Sequence, residues 1–420
     1  MTESAVPDSA ATRAPATATE AQREPVDVID TREEFLAAVA AVAAGTGSIA
    51  LDAERASGYR YSQRAYLIQL YRAGTGTLLF DPPAVGRFDE LNEVIRDEEW
   101  VLHAASQDLP SLREVGLEPT RIFDTELGAR LAGLPRVGLG AVLDELLGVH
   151  LAKAHSAADW STRPLPQPWL VYAALDVDHL IELRDAIGAL LSEQGKAEIA
   201  AQEFAAVLEK QPKPPLDEPW RRLSGLHSLR SPRAFAIARA LWVARDEYAQ
   251  EVDTSPGRLL PDASLVAAAG TQPTSRNALS KLQAFTGRAS RTQLTRWWAA
   301  IEQGMATDDL PALRVSDGGP PPARAWSDRN PEADRRLRLA RAAITDLSAE
   351  LAIPVENLLT PENLRRVAWS PPEPLTPGSL REALAETGAR EWQLDATTQL
   401  IHDAFVEAAQ TPAEDEPPAS

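Results

Sequence analysis

The stretch "IALDAERASGYRYSQRAYLIQL", residues 49–70, begins as an apolar strand pattern and interrupts it with Asp52 and Glu54. On a strand, residues two apart point to one face, so the two carboxylates project together while Leu51 and Ala53 point away. Two like charges at that spacing repel unless a cation lies between them. Hard divalent cations such as Mg²⁺ take oxygen ligands, which makes Asp-x-Glu on a strand a candidate metal seat. A strand end bearing two solvated acids has the same sequence. A second acid, Asp108 in "HAASQDLPSL", falls where a strand-like run turns into a helix. There it can reach over a sheet edge or simply cap the helix. A third group, Tyr172 and Asp176 in "VYAALDVDHLIEL", is spaced by four and occupies one face of a helix. An apolar-face Tyr beside a solvated Asp reads the same way. Taken alone, each stretch fits a plain structural role.

The elements that must position these residues are legible in outline. "TREEFLAAVAAVAAG" predicts a helix ending at Gly45, and "GSIALDAE", "AYLIQLYRAG" and "GTLLFDP" predict three strands. "FDELNEVIRDE" is helical and "EWVLHAAS" is a fourth strand. Three strands, a helix and another strand predict a mixed sheet with an antiparallel hairpin at its start. Helices follow in "DLPSLREVG", "DTELGARLAG" and "GLGAVLDELLG", then a long one from about Pro168 to Lys210, broken near Gly188 or Gly195. "QPKPPLDEP" and "SDGGPPPARAW" read as linkers. The expected organisation is a tail at 1–25, an α/β domain at 26–210 and a linker at 211–218. An all-α domain at 219–304, a linker at 305–326, a second all-α domain at 327–410 and a tail at 411–420 follow. "ARALWVARDEYAQEVDTSPGRLLPDASL" and "ARAAITDLSAELAIPVENLLTPENL" share a pattern of helix, proline, Leu-Leu, proline and Leu, which predicts a duplicated helical module.

Charge is unevenly spread. The 420-residue chain has a net charge of −19, which taken whole argues against a polyanionic partner. Residues 26–190 hold 14 basic and 25 acidic side chains, whereas residues 219–304 hold 12 basic and 6 acidic ones. An acidic part that attracts cations followed by a basic part that attracts polyanions fits this split, and so does an ordinary solvated helical face. There are no cysteines, so neither disulfides nor thiolate metal sites are available. No apolar run reaches the roughly 18 residues of a membrane span, and the N-terminus lacks the pattern of a secretory signal. A soluble cytoplasmic protein is expected.

Together the three acidic stretches carry a resemblance. Asp-x-Glu on the first strand, Asp108 56 residues after Asp52, and Tyr-x-x-x-Asp ending 68 residues after Asp108 resemble the three motifs of the DEDD exonucleases, in the variant with Tyr in the third motif. "YLIQL" after the first motif, "FDTELGARLAG" between the second and third, and "ADWSTRPL" before the third extend the likeness. Over roughly residues 26–410 the chain resembles the ribonuclease D family. "PWRRLSGLHSLRSPRAFAIARALWVARDEYAQEVDTSPGRLLPDASL" is similar to the helicase-and-ribonuclease-D C-terminal (HRDC) module, of which that family has a second copy.

The resemblance implies a ribonuclease-H-like α/β exonuclease domain, a mixed sheet flanked by helices, followed by two all-α HRDC-like domains. It implies 3′→5′ hydrolysis of RNA to nucleoside 5′-monophosphates, with the 3′ ends of tRNA precursors or other structured RNAs as substrate and a monomer as the working form. Asp52, Glu54, Asp108 and Asp176 would hold two Mg²⁺ or Mn²⁺ ions, and Tyr172 would orient the attacking water. Such a pair of ions activates water and stabilises the leaving 3′ oxygen. Candidates for holding the terminal nucleotide are Arg60, Tyr61, Gln69, His103, Trp160 and Arg163. Trp160 can stack on a base or anchor its loop. In the HRDC-like region, Arg221, Arg222, Arg230, Arg233, Lys281, Arg288, Arg291 and Arg296 are candidates for the RNA backbone, and the same surface can dock a protein. The chain departs from the family in the short run "KAHSAADW", which bears on substrate contacts rather than on the carboxylates. A DNA exonuclease and a non-catalytic RNA-binding scaffold are the alternatives.

Overall fold

The computed structural model describes residues 26–151, 157–210, 214, 216–285, 287–314 and 319–410. Both expected tails, part of the first linker and the residues around Lys153 lie outside this set.

The sheet has six strands: β1 (Val28–Ile29), β2 (Thr46–Arg55), β3 (Ala65–Ala73), β4 (Gly76–Phe80), β5 (Glu99–Leu102) and β6 (Arg121–Asp124). Their order is β1-β4-β3-β2-β5-β6. β2, β3 and β4 run antiparallel in succession, while β5 and β6 continue parallel to β2. The antiparallel opening expected from the sequence is present. β1 and β6 are two and four residues long, too short to show a period of two. The β3–β4 turn is tight because Gly74 and Gly76 take φ of 90° and 82°, which a side chain resists.

β2 is central, so it is covered on both faces. Ile49, Ala50 and Leu51 are all 0% exposed. One face is closed by the Arg32–Ala44 and Asp89–Ile95 helices, where Phe35, Phe80 and Phe88 meet edge to face at 4.9–5.8 Å. The Gln167–Asp178 helix crosses the other face over β2, β3 and β4. The long helix expected over 168–210 is three: Gln167–Asp178, Leu180–Glu193 and Ala197–Glu209. Gly195 makes the second break at φ 68°, but the first falls at His179, and Gly188 lies inside a helix.

Two apolar cores organise the chain. One is continuous from the sheet through Ile187 and Phe204 into Ile353, Leu380, Trp392 and Phe405 of the C-terminal helices. The other is closed on itself within the basic helical region, around Trp220, Phe235, Leu241, Leu265, Phe285 and Trp297. Both helical regions begin with a long helix, a single turn and a third helix. These are Pro232–Glu251, Pro256–Leu259 and Asp262–Thr271 in the first, and Pro331–Leu351, Val355–Leu358 and Pro361–Trp369 in the second. The residues read as the end of the second linker are pinned. Trp326 is fully buried against Trp369, and its Nε1 donates to the Pro321 carbonyl at 2.7 Å. Among the described residues, no helix is long and apolar enough to cross a membrane.

Candidate active site

Asp52 and Glu54 lie near the end of β2, on the sheet face crossed by the Gln167–Asp178 helix, with Asp52 opposite Gln69 of β3. That helix starts at Pro166–Gln167–Pro168, where a proline costs no intrahelical bond. Its Leu170, Ala173, Ala174 and Val177 are buried, which turns Tyr172 and Asp176 toward the strand acids. Asp52, Glu54 and Asp176 each offer an oxygen, and the three lie within 4.8 Å of one another. Tyr172 lines the same cleft one helical turn before Asp176.

Asp108 precedes the Leu109–Glu114 helix, but its side chain makes no capping bond. It instead hydrogen-bonds Asp52, and Arg55 Nη2 stands 4.0 Å from its Oδ1. The turn before it is held by Asp124, whose carboxylate accepts from the Ala104 and Ala105 amides at 3.0 and 2.8 Å as well as capping the next helix. Ala104 sits at φ 63°, a strained position for a non-glycine residue that these bonds hold in place. Nothing in the sequence singles out Asp124, because its reach back by 20 residues has no local signal.

Burial and mutual repulsion govern the electrostatics. Burial pushes the Glu54 carboxyl up to about 10, with the charges of Asp52, Asp176 and Asp108 adding to it. Burial, then Asp52, raises Asp176 to about 8. Asp52 is raised by burial, and Asp108 goes well above the carboxylate range through burial and then the Asp52 charge. Burial, followed by the Asp176 charge, also raises Tyr172, which stays a neutral phenol. Four acids, Asp108 buried and the other three half-buried, that cannot all ionise together call for a compensating cation. An all-oxygen donor set of this kind suits Mg²⁺ or Mn²⁺, and Asp52, Glu54 and Asp176 hold three donors together without rearrangement.

The acids open into a cleft of about 960 Å³ that His103, Gln107, Arg136 and Arg55 also line. Burial lowers His103 to about 4, so it is neutral, and its Nδ1 lies 2.9 Å from Thr125 Oγ1. The other expected nucleotide contacts are taken up by the fold. Gln69 and Trp160 are 0% exposed, so neither reaches a substrate as placed. Trp160 packs edge-on to Trp169 at 5.4 Å and is the loop anchor rather than the stacking platform. Arg163 forks onto Asp81 at 2.6 and 2.9 Å and also donates to the Tyr66 carbonyl. Arg60 donates to Ser161 Oγ at 2.7 Å. Tyr61 hydrogen-bonds Asp246 and Gln250 of the basic helical region. Within that region Arg221 is bound to Glu218 and stacked on Trp220, Arg233 donates to the Gly304 and Thr307 carbonyls, and Arg296 pairs with Glu251. Arg222, Arg230, Lys281, Arg288 and Arg291 remain exposed.

Three family models match the chain. One described as a 3′-5′ exonuclease covers residues 26–192, one for the HRDC domain covers 234–301, and one described as a 3′ to 5′ exonuclease C-terminal domain covers 319–405. Ribonuclease D of Jannaschia sp. is 32% identical over 319 residues, which are 74% of this chain and 81% of that protein. Two other bacterial ribonucleases D are matched over 62% and 63% of their own length. A crystal structure of a protein from Bifidobacterium adolescentis is 37% identical with a TM-score of 0.84, and covers 91% of this chain and 100% of that one. The crystal structure of Escherichia coli RNase D, described as an exoribonuclease involved in structured RNA processing, shares the fold at 24% identity, with a TM-score of 0.67 and 91% and 99% of the two chains covered. The mixed sheet, the acids converging on it and these matches agree, and the chain belongs to the ribonuclease D family of 3′→5′ exoribonucleases.

Proposed function

We propose that this protein is a metal-dependent 3′→5′ exoribonuclease that releases nucleoside 5′-monophosphates. Asp52, Glu54, Asp108 and Asp176 hold two Mg²⁺ or Mn²⁺ ions and Tyr172 orients the attacking water. The observation that carries this reading is the convergence of Asp52, Glu54 and Asp176 within 4.8 Å, with Tyr172 on the same cleft one helical turn before Asp176. When bound, the ions supply hydroxide at neutral pH and stabilise charge on the leaving 3′ oxygen. The chain's own residues do the rest. The buried strand and the helix across it fix the carboxylates, so little reorganisation is needed at the moment of reaction. Tyr172 remains protonated, so its hydroxyl can hold a water in place but cannot serve as the base. His103 lines the cleft as a neutral imidazole and adds no charge there.

Arg222, Arg230, Lys281, Arg288 and Arg291 then hold the RNA backbone beyond the cleft, and the working substrate is the 3′ end of a tRNA precursor or another structured RNA. The domains are those read from the sequence, and the protein acts as a cytoplasmic monomer. The E. coli relative's role in structured RNA processing supports this choice over DNA. The test uses 3′- and 5′-labelled RNA and DNA oligonucleotides with Mg²⁺, Mn²⁺ or EDTA. Stepwise loss of 5′-monophosphates from the RNA 3′ end, abolished by EDTA, is expected; faster attack on DNA would overturn the substrate assignment.

A further inference from the structure

Arg55 follows Glu54 directly, and regular alternation would send it to the face of Leu51 and Ala53, away from the acids. The strand pairing is irregular at that point. Glu54 pairs with Leu67 but Arg55 pairs with Ala65, leaving Tyr66 as an extra residue on β3. The extra residue lies on β3, while Arg55 is the last residue of β2, where its long side chain lines the same cleft as Asp52, Glu54, Asp108 and Asp176. It also lines a second, polar cavity of about 220 Å³, beside Ser57, Gly58 and Tyr59, and so stands on the ridge between the two.

Its partners are few. The guanidinium meets Asp108 at 4.0 Å, beyond hydrogen-bond distance, and among the described residues it donates no hydrogen bond. Its neighbours differ. Arg60 and Arg163 spend their donors on Ser161, Asp81 and backbone carbonyls. Arg136, also on the cleft lining, is exposed on the loop between two helices, whereas Arg55 is anchored at the end of a central strand. A guanidinium has five N–H donors in a fork that matches the oxygens of a phosphate; beside four acids its charge eases their repulsion, but its donors stay open to a ligand. Arg55 is held where a polyanion must pass to reach the acids.

We propose that Arg55 binds a phosphate of the RNA chain at the rim of the carboxylate cluster, turning from Asp108 to a non-bridging phosphate oxygen as substrate enters. The exonuclease reading supplies only the identity of the polyanion. Without substrate, the same charge sits against Asp108 and eases its repulsion with Asp52.

The test compares Arg55→Gln and Arg55→Lys in the full chain. Binding of single-stranded RNA is followed by fluorescence anisotropy from 50 to 200 mM salt, in an Asp176→Asn background so that the RNA is not consumed. Loss of one phosphate contact is expected to flatten the slope of log K against log salt by about 0.7 in Arg55→Gln. Arg55→Lys keeps the charge and is expected to keep the slope. In the otherwise unaltered enzyme, kcat/KM on RNA is expected to fall roughly 10- to 100-fold for Gln and less for Lys. A Gln variant with unchanged slope and unchanged kcat/KM overturns the proposal, as does a Lys variant whose slope falls like that of Gln. If the unaltered chain releases no nucleotide from RNA, the exonuclease reading fails, and the salt slope still decides the role of Arg55.

Discussion

The two helical regions start from the same plan, a long helix, one turn and a third helix, yet they attach to the sheet domain in different ways. The HRDC region closes its own core and meets the sheet domain through polar groups. Asp253 accepts from the Ser62 amide at 2.9 Å and from the Tyr66 hydroxyl at 3.2 Å. The Ser255 amide donates to the Tyr59 carbonyl at 2.9 Å, and Arg258 donates to Gly58 at 2.7 Å while covering the Tyr59 ring. All of these contacts fall on residues 58–66, the segment that follows Glu54, whose Gly58 and Tyr59 line the smaller cavity beside Arg55. The C-terminal region instead merges its core with that of the sheet domain. Its Ala352 approaches Gly133 so closely that a Cβ there would stand 2.7 Å from the Ala352 carbonyl oxygen. Buried Glu203 receives Arg390 at 2.5 and 2.7 Å and Trp392 Nε1 at 2.7 Å. One copy of the plan therefore holds the segment after Glu54 through polar contacts, and the other buttresses the sheet through a shared core.

This contrast can be broken at points of decreasing effect. Arg390→Ala leaves the Glu203 charge buried and short of a partner, and should cost about 3 kcal/mol of global stability. Urea unfolding checks this, and a loss confined to the C-terminal helices would break the claim of one shared core. Asp253→Ala frees residues 62–66 without touching the acids or the HRDC core. On the scale of a lost charged hydrogen-bond acceptor, kcat/KM should fall on the order of 10-fold with little change in melting temperature. If only RNA affinity falls and kcat is untouched, the HRDC region is a grip and does not set the shape of the segment after Glu54. Arg288→Gln should flatten the salt dependence of RNA binding by about 0.7. Arg296→Gln, already paired with Glu251 at 2.8 Å, should leave that slope alone and cost under about 1 kcal/mol.

The site itself makes a pH prediction. Between about pH 4.5 and 10 the folded, metal-free chain keeps a proton on Glu54 that the unfolded chain gives up. Each rise in pH across that window therefore favours unfolding. Glu54→Gln removes this dependence, so without metal its melting temperature should exceed that of the unaltered chain most at pH 8 and least near pH 5. Equal melting curves at both values would mean that the acids are not held together in the free protein.

The pairs Asp52–Glu54 and Tyr172–Asp176 were legible as local spacings, two apart on a strand and four apart on a helix, but only the family resemblance joined them to each other and to Asp108, 56 and 68 residues away. The antiparallel opening of the sheet was legible for a similar reason, since three adjacent strands need only turns between them. The nucleotide contacts were not. Arg163 is spent on Asp81, 82 residues away, and Tyr61 on Asp246, 185 residues away, and nothing near either residue announces its partner. Gln69 and Trp160 had the right chemistry for substrate, but the helix across the sheet buries them. Arg55 escaped notice for the opposite reason, because alternation assigns it to the other face, yet at the end of β2 its long side chain lines the cleft.

The central claim is that Asp52, Glu54, Asp108 and Asp176 hold the ions that carry out RNA hydrolysis. It is tested most directly by measuring nucleotide release from 3′-labelled RNA in Mg²⁺ by the unaltered chain and by Asp52→Asn and Asp176→Asn, with RNA binding measured alongside. The account predicts that release is abolished in both variants while RNA binding persists. Full release by either variant would contradict it.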